Sequence, residues 1–179
     1  MINTNIFNPQ KIKIRELSQR DAKRAKEFLD YINSLIEEDA KILFNKKLTL
    51  KEEKAWLKNS LKLIRKKKKI ICIAQDKGKI IGVSDVEMKK YRESHIGEFG
   101  ISVRKEYRGM GIGKRLMKTT LELAKKKLRP KIIKLSVFEN NKIAQNLYKK
   151  FGFKKAAKIP KQIQYKGKLI NRIIMTLET

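Results

Sequence analysis

Cysteine, histidine, acidic side chains and long apolar runs are all scarce in this chain. The one cysteine, Cys72, lies in the apolar run 70–74. A disulfide framework and a cysteine-built metal site are therefore excluded. A free thiol in such a run packs as a small hydrophobe, so Cys72 is expected in the core. The one histidine, His95, has no ligand partner in its neighbourhood and reads as a surface or strand-edge residue, not a catalytic one. Nothing requires a metal. No apolar run approaches the ~20 residues of a membrane-spanning helix. Residues 1–10 lack the charged-then-apolar order of a signal peptide. These absences predict a cytoplasmic protein with no membrane partner.

Acids are outnumbered: 18 Asp and Glu stand against 46 Lys and Arg, for a formal net charge of +28. From Tyr107 onward, 20 basic residues face only Glu122, Glu139 and Glu178, a local excess of +17. Two readings compete. One is a Lys-rich, thermophile-like composition with solvated lysine faces. The other is a surface for weak association with ribosomes or nucleic acid. Aromatics make up 7% of the chain and are not interleaved with the lysines, so there is no stacking platform for single strands.

The 179 residues are 41% hydrophobic, which suits a single domain, 1–179, with a sizeable core. Alternation predicts a first strand over 11–17. Ser18 with Asp21, and Thr49 with Glu52, have the spacing of capping boxes that open helices. The first helix carries Ala22, Ala25, Phe28, Leu29 and Ile32, and the second Leu50, Trp56, Leu57, Leu61 and Ile64. A connector over 34–48 holds the acidic island Glu37, Glu38 and Asp39. Strands follow over 70–75 and 79–88, joined by the Asp76-Lys77-Gly78 turn, and then over 96–103. A third helix spans about 111–128 and stops at Arg129-Pro130. Next come a strand over 131–138 and a short helix opened by Asn140-Asn141 and closed by Gly152. Strands over 153–158 and 168–177 flank a loop over 159–167. The order βααβββαβαββ is that of a mixed α/β sheet with helices on both faces.

One turn carries chemistry. The strand 96–103 leads through a basic segment into Arg108-Gly109-Met110-Gly111-Ile112-Gly113-Lys114, where the third helix begins. Free backbone N–H groups and the positive end of a helix dipole meet there, which is a phosphate site. Glycines at 109, 111 and 113 let a polyphosphate approach the main chain. The turn is not a Walker loop, since Arg115 follows Lys114, and it lacks dinucleotide-fold spacing.

Arg108-x-x-Gly111-x-Gly113, followed by Asn141, Leu147-Tyr148 and Phe151-Gly152-Phe153, strongly resembles the GNAT superfamily of acetyl-CoA-dependent N-acetyltransferases. The resemblance spans essentially the whole chain and is sharpest over 96–153. It implies the GNAT fold: a mixed, mostly antiparallel sheet of about seven strands with four helices on both faces. It implies that acetyl-CoA is held by the N–H groups of Arg108, Gly109, Met110, Gly111, Ile112, Gly113 and Lys114. It also implies a bulged, splayed strand whose backbone at Ile101, Ser102 and Val103 bonds the pantetheine arm. Asn141 would contact that arm, although Asn is equally an ordinary N-cap. Tyr148 would be the general acid; alternatively it is only core.

The reaction implied is direct attack of a neutral amine on the thioester, through a tetrahedral intermediate that expels coenzyme A thiolate. Glu98 is the candidate base and Glu87 the second; Glu98 otherwise reads as a solvated strand-end charge. The alanine-acetyltransferase branch has a Glu where this chain has Ser136, which counts against that close relationship. At pH 7 roughly 10–20% of a protein α-amine is neutral, but below ~0.1% of a lysine amine, so only the latter acceptor needs a strong base. The acidic island and Tyr165 are candidates to line the acceptor mouth. The acceptor (protein N-terminus, lysine or small cationic amine) and the oligomeric state, monomer or homodimer, stay open. The rival reading is a non-catalytic basic module that binds nucleic acid or ribosomes on the same fold.

Overall fold

A computed structural model describes residues 11–179. Residues 1–10, read above as lacking a signal order, lie outside the described residues. Seven strands form one sheet: β1 (Lys13–Glu16), β2 (Lys69–Asp76), β3 (Lys79–Met88), β4 (Ile96–Val103), β5 (Ile132–Phe138), β6 (Lys154–Tyr165) and β7 (Lys168–Glu178). Their spatial order is β1-β2-β3-β4-β5-β7-β6. All pairs are antiparallel except β4 with β5. Four α-helices join them: α1 (Ala25–Glu37), α2 (Leu50–Arg65), α3 (Ile112–Lys127) and α4 (Lys142–Lys150). The element order is the one expected.

Helix α2 starts where its capping box predicts, with Thr49 and Glu52 bonded reciprocally. The Ser18–Asp21 box also forms, but it caps a single 3-10 turn, Gln19–Asp21. Asp21 is there the acceptor for both Arg15 and Arg24, and α1 begins only at Ala25. Helix α1 also outlasts its expected end: Leu35 is fully buried, and Glu37 closes the helix inside the predicted connector. The predicted loop over 159–167 is mostly strand. Strand β6 continues to Tyr165 against β7, with an irregularity between Ile159 and Ile163. The scattered polar residues of that stretch hide its pairing, because β6 lies at the sheet edge, where alternation is weak.

Strand β2 is apolar and buried on both faces because helices cover both. On one face, α1 and α2 pack with Leu17, Ile71, Ile73 and Ile80. On the other, α3 packs with Ile70, Cys72, Ala74 and Ile81. Cys72 is fully buried, as its run predicts. The β4–β5–β7 half has its core on the α3/α4 face, where Phe99, Ile133, Leu135, Val137, Ile173 and Met175 meet Met117, Leu121 and Tyr148. Its opposite face is open at the centre: Ser136, midway along β5, is exposed. Among the described residues no helix is long and apolar enough to cross a membrane.

Candidate active site

Parallel pairing between β4 and β5 ends early. It links Ile96, Gly97 and Glu98 to Ile132, Ile133 and Lys134, and no further. From Phe99 to Val103, β4 keeps only its partner β3. The two central strands therefore splay, leaving the β5-facing backbone edge of β4 unpaired. The splay is the expected one. The expected bulge is absent, since β4 runs against β3 without a register shift. Divergence from β5 alone opens the gap.

The splay leads to the glycine turn. One 3-10 turn, Lys105–Tyr107, intervenes, and Arg108 is its C-cap. Helix α3 starts with Gly111 as an N-cap that has no side-chain hydrogen bond. Among the described residues, the N–H groups of Gly109 through Lys114 donate to no protein acceptor, while Arg115 N–H already closes the first helical bond to Gly111. Gly109 (φ 78°) and Gly111 (φ 75°) are left-handed, and a Cβ at either would meet nothing within 4 Å. They form an open cradle of donors. Gly113 differs from the sequence reading: its φ is not positive, and a Cβ there would make ordinary contacts, 3.8 Å to Leu147 and 4.0 Å to Val103. The Arg108 side chain is turned back, its Nε donating to the Val103 carbonyl at 2.8 Å and its guanidinium paired with Glu38. Met110 and Lys114 are exposed beside the turn, and Ile112 anchors it in the core.

Helix α4 brings Tyr148 to the same place. Its ring stacks edge-on against Phe99, centroids 6.3 Å apart, and Phe99 is the first β4 residue beyond the β5 pairing. Burial alone raises the phenol to about 12. Its hydroxyl has no hydrogen-bond partner among the described residues, so the proton stays on and available. Asn141 caps α4, its Oδ1 accepting from Ala144 N–H at 3.3 Å. The capping use is thus present, with the amide nitrogen uncommitted.

The acidic candidates lie on the α1/α2 face. Ser102 fixes that orientation, its Oγ 2.8 Å from the Tyr31 hydroxyl of α1. By alternation Glu98 and Gly100 share the face. Glu98 stands at the closed end of the splay, close to half exposed, and is paired with Lys89. Glu87 is held by Lys69 at 2.9 Å. A third carboxylate, Asp85, escaped the sequence reading. It lies opposite Gly100 in register, and a Cβ at Gly100 would come within 2.9 Å of its Oδ1. Asp85 thus leans over β4 where the splay begins. Burial is the main cause that lifts its carboxyl above the ordinary range; Glu87 and Glu98 add to the rise, and Lys69, 3.4 Å away, opposes it. Its signal in the sequence is one acid between Val83 and Val86, too short a cue to separate a site from a surface charge.

The acidic island proves to be consumed by ion pairs: Glu37 with Lys47 at 2.6 Å, Glu38 with Arg108, and Asp39 with Lys166 at 3.4 Å. Each of its carboxylates is thus already neutralised by a basic side chain at the surface. Tyr165 does line a mouth. Its hydroxyl donates to the Asp39 carbonyl at 2.9 Å, and its ring meets Phe138 edge-on at 5.5 Å. These contacts tie the β6–β7 hairpin to the α1–α2 connector around a cavity of about 480 Å³. His95 is exposed, and no group of metal-binding side chains forms among the described residues.

A sequence profile described as the Acetyltransferase (GNAT) family matches residues 29–153. An Escherichia coli protein named L-amino acid N-acetyltransferase AaaT is 33% identical over 88 residues, 49% of this chain and 52% of that relative. The match therefore spans about half the relative's length. A GNAT-family acetyltransferase structure from Streptococcus pneumoniae superposes with a TM-score of 0.82 at 25% identity, covering 94% of this chain and 99% of that one. A Salmonella typhimurium structure holding acetyl-CoA as its cofactor superposes with a TM-score of 0.80 at 15% identity, covering 93% of each chain, and shows the shared fold.

Proposed function

The chain belongs to the GNAT acetyltransferase family, and on that premise we propose that it acts as one domain that acetylates a primary amine. Acyl transfer from acetyl-CoA is the chemistry of the family. The acceptor is the new element. The observation that carries the reading is the continuity of the splay with the donor cradle: an unpaired β4 edge over 99–103 runs into free N–H groups at 109–114. The residues fit coenzyme A. Gly109 and Gly111 leave room against the main chain, and the α3 N-terminus favours a diphosphate. Ile101 presents its backbone groups to the arm between Ser102, held by β3, and Val103, whose carbonyl Arg108 takes, and Asn141 offers its amide. Bound there, acetyl-CoA supplies an acetyl group on a good leaving thiol.

This chain's residues then manage two protons. One must leave the amine. Asp85, over Gly100, receives it directly or through water, with Glu98 next to it on the same face. A carboxyl raised by burial is a better base than an ordinary one. The other proton must reach the departing sulfur. The Tyr148 hydroxyl donates it, being protonated at any working pH. A backbone N–H near Ile101 stabilises negative charge developing on the carbonyl oxygen. The exposed lysines support weak association with ribosomes as a secondary property, tested by cosedimentation at ~0.15 M salt against a lysine-rich control.

Calorimetric titration tests the central claim. Acetyl-CoA and ADP are compared at raised salt, because a +28 chain attracts any polyanion. Acetyl-CoA should bind much more tightly than ADP. Equal binding erased by salt would reduce the turn to an electrostatic trap.

A further inference from the structure

One half-buried arginine of the acceptor face has no carboxylate partner among the described residues. Among the described residues four arginines are not exposed: Arg15, Arg24, Arg104 and Arg172. Arg15 grips Asp21, Arg24 grips Asp21 and Glu27, and Arg104 grips Asp30. Arg172 has no ion pair and no side-chain hydrogen bond among the described residues, and its Nε is buried without an acceptor. An unsatisfied buried donor is destabilising, more so when it is charged. The other three show how this protein satisfies such a group, with a carboxylate.

Its place in the sheet says where the missing anion comes from. On β7, Ile173 and Met175 point into the α3/α4 core with Tyr148. Arg172 therefore points to the opposite face, away from the α3 cradle, so the phosphates of coenzyme A are not its partner. Its register neighbour on β5 is Phe138, which lines the cavity beneath the connector. Exposed Ser136 and half-buried Gly100 give this face a floor of small residues at the splay. Asp85 and Glu98 stand on one bank, on β3 and β4, and Arg172 stands on the other, beyond β5. The cavity itself is walled by Ile42, Leu43, Phe44, Phe138, Ile163 and Tyr165. Leu43 and Phe44 remain 62% and 52% exposed there.

We propose that the acceptor is an α-amino acid with a large apolar side chain: Arg172 binds its carboxylate, the cavity its side chain, and the Asp85 bank its amine. Three features of one small molecule meet three chemically different walls. Backbones of β3 and β7 are three strand spacings apart, about 14 Å before the splay widens them. A bare polyamine would leave Arg172 unsatisfied and set a second cation against it. This assignment rests on the acetyl-transfer reading for its consequence, but it is tested by binding.

The experiment is calorimetric titration of the coenzyme A-loaded protein with L-phenylalanine and with phenethylamine, which lacks only the carboxylate. Phenylalanine should bind at least about tenfold more tightly. Arg172→Gln should erase that advantage while leaving phenethylamine and coenzyme A affinity unchanged, and Arg172→Lys should restore part of it. Equal affinity of the two ligands for the unaltered protein overturns the proposal, whatever the variants do. Acetyl transfer, followed by thiol release, separates the two claims. Phenethylamine or spermidine acetylated in preference to phenylalanine would keep the enzyme and sink the carboxylate site. Arg172-dependent binding of phenylalanine without transfer would keep the site and sink the enzyme.

Discussion

Glu53 sits on the first turns of α2, buried, with no partner among the described residues that offsets its burial, and burial raises its carboxyl to about 7. In the unfolded chain it titrates near 4.5. Native protein therefore binds more protons than unfolded protein between those values. Stability from this group is full below about pH 4.5, falls as pH rises, and is lost once pH passes about 7. At about 1.4 kcal/mol per unit the loss is on the order of 3 kcal/mol. The α2 N-terminus favours the carboxylate by ~0.3–1 kcal/mol, which trims it to ~2–3 kcal/mol. Glu53→Gln removes the titration and keeps the shape. At pH 4 the variant should match the parent; at pH 8 it should be more stable by ~2–3 kcal/mol. Urea unfolding at both pH values and fixed ionic strength reads this directly. Parallel pH dependence in parent and variant would refute the burial argument.

Tyr148→Phe should lower kcat by ~10²-fold or more, with little change in melting temperature because the hydroxyl holds no partner; an unchanged kcat removes it as the acid. Gly111→Ala puts a methyl into the donor cradle at φ 75° and should weaken acetyl-CoA binding and cost ~1–2 kcal/mol of stability. Gly113→Ala should instead leave binding intact and stabilise α3 by ~0.5–1 kcal/mol; calorimetry and melting distinguish them. Asp21→Asn should cost ~2–3 kcal/mol at pH 7 by leaving Arg15 without its carboxylate and Arg24 with Glu27 alone. Asp21 is lowered to about 2, so the parent should lose this stability as pH falls from about 4 through 2, and the variant should not.

The sequence by itself determined whatever depends on neighbours within a few residues. Capping spacing placed α2, alternation placed β1, the Asp76-Lys77-Gly78 turn placed the β2–β3 hairpin, and the glycines of 109–113 marked the turn into α3. A lone cysteine in an apolar run could only be core. The family motif concentrated in one such local stretch, which is why the phosphate cradle was legible. The same local signals misjudged β6, whose pairing is made with β7 across the hairpin, and Gly113, whose spacing matches its neighbours but whose backbone is helical.

Tertiary structure alone decided which side chains share a face and which charges cancel. The acidic island looked free until Lys47, Arg108 and Lys166 folded onto it. Asp85 became a site residue only because Gly100 lies opposite it on another strand. Arg172 looked like one basic residue among many, until burial left its Nε without an acceptor. Each of these partnerships joins residues distant in sequence, or depends on an absent partner. Local propensity carries no information about either, because burial and pairing energies exist only after the sheet has closed.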